Sequence, residues 1–295
     1  MKTRVKSGFA MAPLLLVVYW SGALLYVACF VLSLLAVREF YGVFGADSAA
    51  SPAAGGGFVS RRAKPIRWIA YAGAAFLYGA LFLADPLDVP IGSVLALWAF
   101  LTVALSLVCL FRTGKYTLAD AMITMTGVFY VIFFLFHAAL IVYFFPVGSA
   151  GNTWIRFENP LWLVIFAAFG SDIFAYFAGS LMGKHRLCPN ISPKKTVEGA
   201  IGGVVGSAAL CGAFGDFAVP GFVVNSIIVG VLGGLVSQAG DLAASVIKRQ
   251  TGVKDYGNLI PGHGGVLDRI DSVLFTAPTV FYYIYFAQCP GISQM

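Results

Sequence analysis

Long apolar segments, each close to the length of one membrane crossing, dominate this sequence. After an apolar run from Gly8 to Val37 they recur seven times, with approximate bounds 66–84, 89–111, 118–145, 160–182, 199–218, 221–247 and 270–289. About 20 apolar residues in a helix cross the hydrocarbon core of a bilayer. Because 59% of the residues are hydrophobic and only 11% are charged, the chain has too few polar side chains to cover a soluble globule of 295 residues. It is predicted to be a polytopic membrane protein.

The first apolar run can form one tilted helix or two short helices that turn near Ser21 and Gly22. It follows a basic N-terminus, MKTRVK, and the loop after it is also basic, with Arg61, Arg62, Lys64 and Arg67. Positively charged loops stay on the cytoplasmic side, so both ends of the run belong there and a hairpin is favoured. The run continues without a polar cleavage region, which indicates an anchor rather than a cleaved signal peptide.

With this hairpin the fold class is all-α, with about nine transmembrane helices and a polar cavity open to the cytoplasm. The charges of the later loops alternate, which places the motif-rich loops inside and the C-terminus outside. We assign residues 1–159 to an N-terminal multi-span region and residues 160–295 to a C-terminal catalytic region. The glycine-rich segment GAIGGVVGSAALCG, which starts at Gly199, favours close helix packing.

Charge and cysteine usage exclude some classes of function. The net charge of +6 is collected in a few loops, so it indicates orientation against an anionic leaflet and not nucleic-acid binding. Five cysteines form no CxxC pair, which is evidence against a zinc site or a disulfide framework.

Two aspartates lie inside apolar segments. Asp172 follows ten residues of apolar span, and Asp241 lies near the cytoplasmic end of a later one. A carboxylate in a membrane is costly unless it faces a cavity, a cation or a partner, so both are candidates for function. The alternatives are a helix-packing hydrogen bond for Asp172 and a position close to the interface for Asp241.

A basic segment between two apolar spans is the second candidate. It begins with Lys184, His185 and Arg186 and continues as ISPKKTVEGAIGG from Ile191. We expect extended structure to end at Ser192 and Pro193, and Thr196 and Glu198 to serve the first turn of the next helix. Lys194 and Lys195, together with that helix start, could bind an anion. The alternative is a loop whose lysines only set membrane orientation.

The richest stretch runs from Ser245 to Ser272. It supplies cations for phosphate oxygens and carboxylates for a hard metal ion, namely Lys248, Arg249, Lys254, Arg269, Asp255, Asp268 and Asp271. Asp268 and Asp271 are three residues apart where a helix should begin, so they share a face. Asp241, Ser245 and Lys248 likewise share a face of the preceding helix.

The turn between these two helices contains almost no side chains for packing. Its residues are Gly262, His263, Gly264 and Gly265. Such a turn allows close backbone approach to a phosphate or a base. His263 could be an acid or base, a hydrogen-bond donor or a structural histidine.

At these residues the chain resembles the phosphatidate cytidylyltransferases, also called CDP-diacylglycerol synthases. The family signature is Ser-x-apolar-Lys-Arg, four residues, Lys-Asp-x-small, two residues, apolar-Pro/Gly-x-His-Gly-Gly-apolar-x-Asp-Arg-apolar-Asp, and it is met at every position from Ser245 to Asp271. The upstream family pattern is present as SDIFAYFAGSLMGKHRLCPNISPKKTVEGAIGG. The resemblance covers roughly residues 160–275, and the first 150 only by topology. Ile173 and Ser180 stand where Thr and Arg are expected.

The resemblance implies a homodimeric membrane enzyme that converts CTP and phosphatidate to CDP-diacylglycerol and pyrophosphate. It implies Mg²⁺ as cofactor, with a second cation left open. The absence of an organelle-type presequence fits a bacterial plasma membrane, and the loop charges place the site on the cytoplasmic side. Metal ligands are expected to be Asp241 and Asp268, then Asp172 and Asp271. Lys248 and His263 join Asp241, Asp268 and Asp271 as catalytic candidates. The expected substrate-binding residues are Ser192, Lys194, Lys195, Thr196, Glu198, Ser245, Arg249, Lys254, Asp255, Gly264, Gly265 and Arg269.

Two other classes of function are weighed against this one. An ion-coupled transporter also uses intramembrane aspartates, but its repeats place them in both halves of the chain, whereas here the motifs lie in one half. Another lipid enzyme, such as a CTP-dependent polyprenol kinase or a CDP-alcohol phosphotransferase, would share a cytoplasmic acidic site. The sequence lacks the Asp-Gly and Gly-x-x-x-Asp-x-x-x-Asp pattern of the phosphotransferases.

Overall fold

The computed structural model describes residues 16–19, 22–45, 63–111, 114–145, 160–218, 222–260 and 264–288. His263 lies outside these residues, so its predicted role stays a prediction. The described helices are α1 Ala23–Gly45, α2 Arg67–Leu87, α3 Ile91–Val108, α4 Leu118–Gly127, α5 Phe134–Phe144, α6 Leu161–Met182, α7 Val197–Ala218, α8 Val223–Gln250 and α9 Leu267–Gln288. A π-helical segment, Val128–Phe133, joins α4 to α5, and a 3₁₀ turn, Cys109–Phe111, extends α3.

Eight helical stretches among the described residues are long and apolar enough to cross a membrane. They match the seven later apolar segments of the sequence and the second half of the first run, and α4, the π-helical segment and α5 make one span, Leu118–Phe144. Gly22 has a φ of +64°, which glycine adopts readily, and α1 begins directly after it, where the sequence predicts a turn. A ninth span would involve residues 1–15, which lie outside the described residues.

The described strands form one small antiparallel hairpin between α6 and α7. Strand β1, Arg186–Cys188, pairs with strand β2, Ser192–Thr196, and Arg186 lies opposite Thr196. The prediction that extended structure ends at Ser192 and Pro193 is wrong, because these residues begin β2. A two-stranded ribbon has only edge strands, where proline is tolerated. Helices make up the remaining regular structure, so the all-α class is confirmed.

The chain divides into two compact units. Apart from the N-terminal residues, the first unit contains Gly22–Phe136 and Ile247–Arg269. Its core includes the fully buried side chains of Phe40, Tyr41 and Trp98. A buried polar network lies in the same unit, where Asp120 accepts the backbone N–H of Thr117 at 2.8 Å and the backbone N–H of Lys64. This network ties the segment before α2 to the start of α4.

The second unit contains His137–Val246 and Ile270–Met295, and here α6 packs closely against α7. A Cβ atom at Gly202 would overlap with the methyl group of Ala178 on α6. The hydroxyl of Ser207 on α7 donates to the carbonyl oxygen of Gly230 on α8 at 2.7 Å. Close packing of the glycine-rich segment is therefore confirmed. The predicted division of the chain at residue 160 stays a prediction.

Candidate active site

A cavity of about 400 Å³ lies within the second unit, among α6, the β hairpin, α7 and α8. Five of the predicted site residues line it, namely Asp172, Lys194, Lys195, Thr196 and Asp241, and so does Ser180, which stands where the family pattern has Arg. The Lys195 ammonium lies 2.6 Å from Oδ2 of Asp241, and both side chains are between a quarter and a third exposed. Lys194 is exposed. The cavity therefore presents two carboxylates and two ammonium groups to a ligand.

The strand-to-helix junction that carries these lysines is fixed by its own polar side chains. Thr196 caps α7, because its Oγ1 accepts the backbone N–H of Gly199 at 3.1 Å. Glu198 reaches back to the hairpin, where it accepts the backbone N–H groups of Lys184 and His185 and lies 2.6 Å from the His185 ring. The sequence prediction that Thr196 serves the first turn is confirmed, whereas Glu198, which lies in that turn, directs its carboxylate to the hairpin.

Ser272 links two of the predicted metal ligands within the second unit. Its hydroxyl donates to Oδ2 of Asp172 at 3.2 Å, and its backbone N–H donates to Oδ1 of Asp271 at 2.8 Å. Asp271 and Ser272 are buried. Ser245 lies one turn after Asp241 on α8, with its Oγ 3.5 Å from Oδ1 of that aspartate. Ser245 and Ser272 thus contact all three predicted metal ligands of this unit.

Gln238 is a cavity residue that the sequence analysis did not single out. Its Nε2 donates to the carbonyl oxygen of Ala200 at 3.0 Å and to Oγ of Ser171 at 3.2 Å. Because a carbonyl oxygen can only accept, the nitrogen of the amide must face Ala200. Gln238 and Asp241 are three residues apart on α8, and both line the cavity.

A second polar cluster, formed around Asp268, lies in the first unit, where the signature loop closes on itself. Oδ1 of Asp268 lies 2.8 Å from the Lys248 ammonium, and the two side chains are only 3% and 11% exposed. Oδ2 accepts the backbone N–H groups of Tyr256 at 2.8 Å and Gly265 at 3.0 Å. The Lys248 ammonium also lies 5.2 Å from the centre of the Tyr256 ring. Asp268 therefore connects Tyr256 and Gly265, on the two sides of the loop, to one buried ion pair.

The remaining signature residues of this cluster differ in exposure. Arg249, Lys254 and Asp255 are exposed, and Arg249 donates to the carbonyl oxygen of Val253 at 3.3 Å. Gly264 has a φ of +85° and pairs with Ile260 across the turn. Nε of Arg269 is buried without a hydrogen-bond partner among the described residues. Arg249 and Lys254 are thus accessible to a phosphate from water.

Glu39 on α1 belongs to this cluster, although it is distant in sequence. Its carboxylate accepts the backbone N–H of Val266 at 3.0 Å and that of Leu267 at 2.9 Å, at the start of α9. Glu39, Tyr256, Gln238 and Ser272 were not predicted from sequence. For Glu39 the available signal was a carboxylate beside apolar residues in a helical span, which indicates a partner or a function.

The carboxylates that could hold a metal ion come together as a pair and not as a larger group. Among the described residues, no group of three or more His, Cys, Asp or Glu side chains is arranged to hold a metal ion. Asp172 and Asp241 line the same cavity, and the Lys195 ammonium is the cation that Asp241 holds. Carboxylate oxygens are the donors that Mg²⁺ prefers, so the donor chemistry fits this ion.

Comparison with known proteins agrees with this chemistry. A model described as "Cytidylyltransferase family" matches residues 2–287. A Synechocystis sp. protein named phosphatidate cytidylyltransferase is 46% identical over 145 residues, covering 46% of this chain and 49% of that protein. A protein of the same name from Aquifex aeolicus is 39% identical over 160 residues, covering 54% of this chain and 56% of the relative.

An Escherichia coli relative, named uncharacterized protein YnbB, is 44% identical over 114 residues, or 39% of this chain and 38% of that protein. The chain spans about half the length of the curated relatives it matches, or less. The family model, however, covers nearly all of the sequence and both units of this integral membrane protein. The chain belongs to the cytidylyltransferase family.

Proposed function

We propose that this protein transfers the cytidylyl group of CTP to phosphatidate, giving CDP-diacylglycerol and pyrophosphate for phospholipid synthesis. One observation carries the proposal: the family match over residues 2–287 includes an unbroken signature from Ser245 to Asp271. The cations and carboxylates of that signature suit a reaction between two phosphate compounds. The names of the curated relatives support the same choice of substrates.

The proposed reaction is a displacement at phosphorus. A phosphate oxygen of phosphatidate attacks the α-phosphorus of CTP and forms a new P–O bond. The bond from the α-phosphorus to the bridging oxygen breaks, and pyrophosphate leaves with that electron pair. Because the nucleophile is already an anion, the protein needs little base catalysis and mainly has to neutralise charge and align the reactants.

We assign phosphate binding to the basic residues of both clusters. In the cavity, Lys194 and Lys195 supply cations, and Ser192, Thr196, Glu198 and Ser245 hold the hairpin, the start of α7 and the adjacent carboxylate. In the signature loop the same role falls to Lys248, Arg249, Lys254 and Arg269, with Asp255, Gly264 and Gly265 shaping the loop. Charge-assisted hydrogen bonds to phosphate are the strong kind, so these cations supply most of the electrostatic stabilisation.

Mg²⁺ is the proposed cofactor, with Asp241 and Asp268 as its first ligands and Asp172 and Asp271 next. When bound, the ion would supply charge neutralisation on the phosphoryl oxygens. Lys195 is paired with Asp241, and Lys248 is paired with Asp268. A phosphate that attracts these ammonium groups would leave carboxylate oxygens available to the ion. A second cation is left open, and His263 stays a candidate acid, base or donor.

The membrane arrangement is part of the proposal. Loop charges favour nine spans in a bacterial plasma membrane, with the cavity open to the cytoplasm. CTP then enters from water, and the lipid phosphate reaches the same depth while its acyl chains remain in hydrocarbon. The family resemblance also implies that the protein is a homodimer.

The test is a direct assay of the purified protein in detergent. Labelled CTP, Mg²⁺ and phosphatidate should give CDP-diacylglycerol and an equal amount of pyrophosphate, and omission of phosphatidate or addition of EDTA should abolish both. Replacement of phosphatidate by a polyprenol tests the kinase alternative in the same assay. A folded protein that forms no CDP-diacylglycerol from phosphatidate would refute the proposal.

A further inference from the structure

A carboxylate from the first half of the chain holds the start of the helix that carries Asp268. Glu39 lies in α1, and its two oxygens accept the N–H groups of Val266 and Leu267 at 3.0 and 2.9 Å. Leu267 is the first residue of α9. The first N–H groups of a helix have no partner within the helix, and the helix dipole favours a negative charge there. Glu39 thus supplies a bidentate cap from 227 positions away.

The loop leaves room for this carboxylate at two glycines. A Cβ atom at Gly257 would come within 2.5 Å of Oε1 of Glu39, and one at Gly265 would overlap with Oε2. Neither glycine has a positive φ, so the backbone conformation does not require glycine at these positions. Their requirement is space, because any larger residue would displace Glu39 from the amides it binds.

Glu39 and Asp268 together satisfy consecutive backbone amides. Asp268 accepts the N–H of Gly265, and Glu39 accepts those of Val266 and Leu267. Asp268 is the second residue of α9, so its distance from Lys248 and from the Tyr256 amide depends on where α9 begins. Both carboxylates and the amides they hold lie in the first unit. A shift of the helix start would move the buried ion pair with it.

We propose that Glu39 is a positioning residue for Asp268: it fixes the start of α9 and thereby sets the geometry of Asp268, Lys248 and the signature loop. The inference rests on the proposed function for its kinetic consequence, but not for its structural one. It also implies that the amides of Gly265, Val266 and Leu267 are occupied by protein carboxylates, so these three amides do not bind a substrate phosphate.

Glu39→Gln tests the proposal with almost no change of shape. The amide can accept one N–H through its oxygen, but its NH₂ group faces the other donor, so the bidentate cap is lost. We expect kcat to fall about tenfold or more, since charge-assisted hydrogen bonds are lost, and KM for CTP to change less. Within residues 256–267, hydrogen exchange should rise at the backbone amides that the two carboxylates hold, those of Tyr256, Gly265, Val266 and Leu267. Glu39→Asp keeps the charge and should retain more activity than Glu39→Gln.

Asp120→Asn is the matched control. Asp120 is likewise a carboxylate of the first unit that binds two backbone amides, although it is buried whereas Glu39 is partly exposed. Its two amides, those of Lys64 and Thr117, lie outside the signature loop. Its substitution should lower thermal stability, while kcat per folded protein and exchange at residues 256–267 stay at wild-type values. If Glu39→Gln cannot be purified, Gly257→Ala should displace Glu39 and shift kcat and exchange in the same direction.

The proposal is overturned if Glu39→Gln keeps wild-type kcat, or if its loss of activity only follows the loss of folded protein while exchange in the loop is unchanged. Equal activity of the Glu39→Gln and Glu39→Asp variants would also contradict it. If the wild-type protein makes no CDP-diacylglycerol, the proposed function fails, and the exchange measurement alone then decides whether Glu39 holds the loop.

Discussion

Removing the charge of Lys248 should cost stability as well as activity. Its ammonium lies 2.8 Å from Asp268, and the exposed fractions of the two side chains are 11% and 3%. Lys248→Met keeps a long unbranched side chain but leaves a buried carboxylate without its cation. Loss of one partner from a buried ion pair costs about 3–5 kcal/mol. Asp268 retains two backbone N–H groups, so we expect the lower end, about 3 kcal/mol.

A double-mutant cycle separates this structural cost from catalysis. Lys248→Met with Asp268→Asn removes both charges, so the double variant should be less destabilised than the sum of the single variants, by about 1–3 kcal/mol. None of the three should make CDP-diacylglycerol, because both groups belong to the proposed phosphate and cation sites. Stability would be measured as the free energy of unfolding in mixed micelles, and activity with labelled CTP.

Lys184→Met is the control for loss of a lysine charge, because Lys184 is exposed and lies outside the signature. It should change stability by no more than about 0.5 kcal/mol. Strict additivity of the two single variants would refute the coupling between Lys248 and Asp268. Near-normal turnover by Lys248→Met would remove this lysine from the phosphate-binding set.

Three further outcomes are expected. Lys195→Ala should lower turnover about tenfold or more, measured as initial rates against both substrates. It should cost at most about 1 kcal/mol of stability in thermal unfolding, because its aspartate partner on α8 is partly exposed. Gly202→Leu should destabilise the packing of α6 on α7 by about 1–3 kcal/mol or more, whereas Gly79→Ala, which faces open space, should change thermal unfolding little. A reporter fused after Met295 should be found outside the cytoplasm if nine spans are present, and a cytoplasmic reporter would contradict that count.

The parts of the fold that depend on neighbouring residues could be predicted from the sequence. The seven later apolar segments predicted the spans within a few residues, because a helix needs a fixed length to cross a bilayer, whereas the first span continues to Phe44, beyond the predicted end at Val37. Thr196 caps α7 as its position before a glycine-rich helix predicts, and Asp268 and Asp271 lie on one helix. The β hairpin was missed at Ser192 and Pro193, because pairing with β1 and not local preference keeps that segment extended.

The parts that depend on distant residues could not be predicted in this way. Nothing in the sequence near Glu39 indicates the start of a helix 227 positions later. Asp268 was predicted as a metal ligand and a catalytic residue, so that its replacement by asparagine would abolish turnover and leave the protein folded. The structure shows three donors on its carboxylate, from Lys248, Tyr256 and Gly265, so the same substitution should also cost stability. A spacing pattern shows which residues carry charge, but not which neighbouring groups stabilise that charge.

The pairing of lysine with aspartate explains how the protein can keep a charged site in an apolar chain. Asp241 holds Lys195 at 2.6 Å in the second unit, and Asp268 holds Lys248 at 2.8 Å in the first. In each pair an aspartate that is proposed to bind the metal ion is neutralised by a lysine that is proposed to bind phosphate. An unpaired charge of either sign would cost several kcal/mol where little water reaches it. The residues proposed to bind an anionic substrate and its counter-ion thus stabilise each other, and most strongly in the buried pair of Asp268 and Lys248.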